Sequence, residues 1–79
     1  MALREWRSIV WRAQGGLSLA DVAARMGLTT RHTSPLLRGE ALPESADARR
    51  ERVDKLISVL EIGATDALIM RVLAGVSDG

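Results

Sequence analysis

The side chains with most to offer chemically are ten arginines, one lysine and a single histidine, His32. Cysteine is absent, which removes thiol nucleophiles, disulfides and cysteine-based zinc sites. One histidine cannot assemble a metal cluster or a serine–histidine triad, and the carboxylates are scattered along charged helical surfaces rather than paired in an apolar setting. An enzyme is therefore not expected: the sequence offers no catalytic residue, no metal ligand set, no cofactor motif and no small-molecule substrate. What remains is arginine chemistry, the recognition of phosphate, carboxylate or a base edge by a planar fork of donors. Formal net charge is only +1, but it is unevenly spread. Residues 1–38 hold six arginines (Arg4, Arg7, Arg12, Arg25, Arg31 and Arg38) against Glu5 and Asp21, whereas residues 39–79 hold five basic and eight acidic side chains. A basic first half suits a phosphate-bearing partner; a merely solvated arginine-rich helix face gives the same composition.

Glycine and proline punctuation divides the chain into five helix-sized pieces, and no alternating β-branched run suggests a strand. The fold class is all-α, and 79 residues suit one domain. A first helix is expected from about Leu3 to Gln14, with Leu3, Trp6, Val10 and Ala13 at helical spacing and Ile9 and Trp11 widening the apolar face, so both tryptophans read as core or interface anchors. The second opens on the strongest local signal: Ser18 as N-cap, Asp21 three residues on, and Leu17 placed to staple onto Val22. Val22, Ala23 and Met26 form its buried face and Gly27 its stop. Thr29 can cap a third helix ending at Gly39. After a loop with Pro43 and Ser45, a longer helix runs from about Ala46 to Ile62 on a stripe of Val53, Leu56, Ile57 and Leu60. Its Glu51–Lys55 and Arg50–Asp54 spacings suit surface pairs. Thr65 can cap a last helix reaching about Ala74, stopped by Gly75.

Two short helices joined by a tight glycine turn can set one helix across a phosphate backbone and the other in a major groove. The segment SLADVAARMGLTTRHTSPLLRG, Ser18 to Gly39, resembles the helix-turn-helix of the Cro and lambda-repressor-like family, the xenobiotic-response-element type. Ser18 falls at the opening cap, Val22-Ala23 at the apolar–alanine pair, Gly27 at the turn and Gly39 at the end. The resemblance implies a compact five-helix DNA-binding domain over residues 1–79 acting as a transcriptional regulator, of the small repressor kind found in phages and mobile elements; with no signal-like or membrane-length apolar run, it is expected to act in the cytoplasm. Departures are Leu19 where the family usually has glutamine, Thr33 at a usual buried aliphatic, and Leu37 where an acidic partner for Arg12 is customary.

The exposed start of the third helix presents Thr30, Arg31, His32 and Ser34 as candidates for reading bases, Arg31 foremost because a guanidinium can bond guanine O6 and N7 together. Arg25, Arg38, Thr29, Ser18 and the amide region of Leu19 are candidates for phosphate contact, with Arg4 and Arg7 further out. Pro35 is expected either to kink the third helix or to cut it short, with Ser34-Pro35 starting a separate turn. The last helix is apolar almost all round, so Leu68, Ile69, Val72, Leu73 and Val76 are candidates for a homodimer interface within residues 53–76. The partners expected are thus double-stranded DNA and a second copy of the chain; arginines interrupt any N-terminal apolar run, so no membrane partner is expected. The alternative is a helix-turn-helix-derived interaction module, an antitoxin or anti-activator, that holds a protein through its apolar last helix.

Overall fold

In a computed structural model, residues 2–76 are described, with side chains from Arg4 onward, so Leu3 lies outside the described side chains. Five helices follow in order: α1 (Ala2–Gln14), α2 (Leu19–Met26), α3 (Thr30–Leu37), α4 (Ala46–Val59) and α5 (Ala64–Leu73), with no strand among the described residues. Each helix contributes one apolar stripe to a shared core. Trp6, Ile9 and Val10 come from α1, Val22 and Met26 from α2, Leu36 from α3, Val53, Leu56 and Ile57 from α4, and Ala67 and Met70 from α5. The helices pack as α2 on α3 and α4, α1 on α3 and α5, and α4 on α5. The radius of gyration, 11.4 Å, matches the roughly 12 Å of a compact chain this long.

The caps explain where α2, α3 and α4 begin. Ser18, Thr29 and Ser45 are extended residues whose hydroxyls accept from the amides of Asp21, His32 and Ala48. Arg49 fastens the loop before α4 by donating to the carbonyls of Pro43 (2.8 Å) and Glu44 (2.8 Å), and it also reaches Ala74.

Several expectations are corrected. Trp6 is buried, but Trp11 is 79% exposed: on α1 it lies nearly opposite the Trp6–Ile9–Val10 stripe and cannot widen that face. The fourth helix stops at Val59 rather than Ile62, because Glu61 takes a left-handed conformation (φ 52°). Thr65 does not cap α5; Gly63 holds that position with no side-chain bond. Asp54 pairs with Arg71 of α5 (2.9 Å), and no Glu51–Lys55 ion pair forms among the described residues. Pro35 neither ends α3 nor starts a separate turn: the helix continues from Thr30 to Leu37. The amide it lacks would have met the carbonyl of exposed Arg31, where water can substitute, and the helix ends only two residues later. No described helix is long and apolar enough to cross a membrane.

Candidate nucleic-acid interface

The α2–α3 pair is locally over-determined. At the start of α2 the Asp21 N–H donates to Ser18 Oγ (3.1 Å) and the Ser18 N–H donates back to Asp21 Oδ2 (3.1 Å). That backbone donor first, then the Ser18 hydroxyl, hold the Asp21 carboxyl below the usual carboxylate range, with Arg25 adding to the effect. At the other end Gly27 adopts φ 72°, a left-handed conformation that glycine takes without strain. Its N–H donates to the Ala24 carbonyl (3.2 Å) and that of Leu28 to Ala23 (3.0 Å).

The inner face of α3 is then fixed in three ways. Thr33 and Leu36 are fully buried. The Thr33 hydroxyl, at the position where an aliphatic was looked for, donates to the Thr29 carbonyl (2.8 Å), so its burial leaves no polar atom unsatisfied. Trp6 Nε1 donates to the Leu36 carbonyl (3.2 Å) from within the core, tying α1 to the C-terminal turn of α3. Sequence reasoning placed Trp6 in the core but missed this bond, which only the packing of α1 against α3 creates.

With that face anchored, the outer one carries Thr30, Arg31 and His32, all exposed. Arg31 has no hydrogen bond or ion pair to any described residue, so its five donors are available to a ligand. His32 is steadied by its neighbour: Thr29 Oγ1 lies 2.8 Å from Nδ1 and accepts from the His32 amide at 3.3 Å.

The remaining candidates divide. Ser34 is half-buried and accepts from Arg38 Nη1 (2.8 Å), while Arg38 Nε reaches Glu40 Oε2 (3.2 Å), so these two side chains are engaged with one another and with Glu40. Arg7 approaches the same carboxylate oxygen at 3.9 Å. Ser18 and Thr29 spend their hydroxyls on capping; Leu19 is half-buried; Arg25 is exposed without an ion pair among the described residues. Glu40 was not foreseen, although its position two residues after Arg38 and just past Gly39 was a usable signal. Also unforeseen was a cleft of about 330 Å³ between the Met26–Leu28 turn and α4, where Arg52 and Lys55 add positive charge beside Gly27 and Glu51 opposes it.

The candidate dimer residues of the last helix do not form one surface. Val76 is buried in the chain's own core, and Ile69 and Leu73 are half-buried against it, because α5 uses that side to pack on α1 and α4. Leu68 (59%) and Val72 (56%) remain exposed, one helical turn apart. No set of three or more metal-ligating side chains converges among the described residues. Among known proteins, no family model, no curated sequence and no solved structure matches the chain.

Proposed function

We propose that this chain is a sequence-specific DNA-binding regulator of the lambda-repressor-like, helix-turn-helix kind, with α3 as its reading helix. The observation that carries the proposal is the division of α3: an inner face locked by Thr33, Leu36 and the Trp6 bond, and an outer face on which Arg31, between Thr30 and His32, has no partner among the described residues. Eight residues make a helix about 12 Å long, a good match to a major groove about 12 Å wide. Arg31 reads guanine, Thr30 and His32 contact neighbouring base edges, and Arg25 meets phosphate. A second copy pairs through Leu68 and Val72, setting two reading helices on half-sites about one duplex turn apart. Blocking a promoter requires nothing more, so repression is the regulatory sense proposed.

The test is selection of bound duplexes from random DNA, followed by titration of the selected and random sequences with wild type and Arg31→Ala. Arg31→Ala should weaken the selected site about 10- to 100-fold, the span of a lost bidentate base contact, while random DNA changes only a few-fold. Two chains should bind per site, and Leu68→Glu with Val72→Glu should reduce that to one. Equal loss on both DNAs would remove Arg31 as a reader. The exposed apolar side chains Trp11, Leu68 and Val72 favour a second reading, a protein-interaction module of antitoxin or anti-activator type; no retardation of any duplex at low salt would leave that reading in place.

A further inference from the structure

We infer that Glu40 is an intramolecular competitor for phosphate that holds Arg38 and Arg7 in check and sets how strongly the chain binds DNA irrespective of sequence; this rests on the DNA-binding reading above. Thr30 and Ser34 stand at i and i+4 on α3 and Arg38, its C-cap, at i+8, so Arg38 continues the stripe that starts at Thr30, one turn beyond Ser34. At the end of that stripe the chain places a carboxylate rather than open solvent. Glu40 Oε2 accepts from Arg38 Nε (3.2 Å) and sits 3.9 Å from Arg7 Nη2, while Arg38 Nη1 is held by Ser34 Oγ (2.8 Å).

The backbone makes this placement reproducible. Gly39 is left-handed (φ 74°), its N–H donates to the Leu36 carbonyl (2.9 Å), and the Glu40 N–H donates to the Pro35 carbonyl (2.9 Å). The Pro35 carbonyl accepts the amides of both Arg38 and Glu40 and fixes the latter beside the former. Trp6 bonds the next carbonyl, that of Leu36, so the same turn is anchored to the core.

All three charged side chains remain substantially exposed, so their pairing contributes little to folding. Its consequence falls on binding. A duplex phosphate approaching Arg38 or Arg7 meets a fixed negative charge already sharing those guanidinia, and must displace it or tolerate it. Phosphate attraction is blind to sequence, so this competition lowers affinity for all DNA and leaves the reading by Arg31 untouched.

The experiment titrates a selected-site duplex and a random duplex from 50 mM to 1 M salt by fluorescence anisotropy. It compares wild type with Glu40→Gln, Glu61→Gln and the double variant Glu40→Gln, Arg38→Ala. Glu61 lies in the turn after α4 and supplies the same change in net charge away from α3. Freeing Arg38 for one more phosphate should steepen the log–log salt slope by about 0.9 and tighten both duplexes about five- to tenfold near 0.1 M salt, the gain fading toward 1 M. Glu61→Gln should stay within twofold of wild type, and the double variant should lose the gain. Thermal unfolding of Glu40→Gln should match wild type. Equal tightening by Glu40→Gln and Glu61→Gln would reduce the effect to net charge and overturn the inference; so would weaker binding by Glu40→Gln, which would make the carboxylate a productive support for Arg38. If wild type binds and Glu40→Gln does not differ from it, this inference alone fails. If wild type binds neither duplex at 50 mM salt, the DNA-binding reading fails as well.

Discussion

The turn between α2 and α3 and the turn after α4 close with the same hydrogen bonds and different residues. In the first, Leu28 N–H reaches Ala23 and Gly27 N–H reaches Ala24; in the second, Ile62 N–H reaches Ile57 and Glu61 N–H reaches Ser58, all at 3.0–3.2 Å. The left-handed position is glycine in one (φ 72°) and glutamate in the other (φ 52°). The next helix starts on a bonded Thr29 hydroxyl in one, and on Gly63 without a side-chain bond in the other. Both turns deliver a half-buried apolar residue, Leu28 or Ile62, to the core. The same backbone shape thus forms around a glycine and around a glutamate, each followed by a half-buried apolar residue, and the residue at the turn decides how much strain the shape carries. The pair that exposes Arg31 is built from residues suited to their conformations; the α4–α5 connection is held against local preference.

The largest effect that would sharpen this contrast is Gly27→Val. A Cβ at Gly27 meets only the mobile Lys55 amine at 4.0 Å, so the cost is backbone strain rather than a clash. A β-branched residue at positive φ should destabilise by about 2 kcal/mol, read from urea unfolding. A variant as stable as wild type would mean that the first turn does not depend on glycine either, and the contrast would vanish.

Next comes the cap of α2. Ser18→Ala should cost about 1 kcal/mol at neutral pH. The partner Asp21 supplies a pH signature, because its folded pKa is lowered, chiefly by the Ser18 amide. A depressed folded pKa stabilises fully above the ordinary aspartate value, about 3.9, and that contribution is lost as pH falls through the depressed value. Asp21→Asn should accordingly be less stable than wild type at pH 7, with the gap closing below about pH 4 in denaturation midpoints. A gap independent of pH would mean that the carboxylate's charge plays no part in the cap.

The contrast also explains what could be read in advance. Five helices, the caps at Ser18 and Thr29, and the stop at Gly27 were legible because each is a local preference that the tertiary structure respects; the cap at Ser45 was read only as part of a loop. Where packing overrides preference the sequence misled. Thr65 looked like a cap and sits inside α5, which opens on Gly63 instead; Trp11, the kind of residue usually buried, faces solvent because α1 has room for one stripe only. Within the candidate site, Thr30, Arg31 and His32 are exposed as expected at the open start of the third helix, whereas Ser34, expected beside them, is half-buried. The bonds of Ser34, Arg38 and Glu40 were not legible, since they depend on α3 continuing through Pro35 to a left-handed Gly39.

The smallest effect reverses the sign. Glu61→Gly relieves a left-handed conformation that costs a non-glycine residue about 1–2 kcal/mol, and gives back part of that through the greater freedom of glycine in the unfolded chain. A net stabilisation of about 0.5–1 kcal/mol is expected, visible as a raised urea midpoint with unchanged slope. Glu61 is exposed and contributes no ion pair among the described residues, so nothing else is removed with its side chain. A substitution that stabilises at Glu61 and destabilises at Gly27, in two turns with the same hydrogen bonds, would place the difference in residue conformation alone. A loss of stability at both would instead give the Glu61 side chain a role beyond its backbone shape.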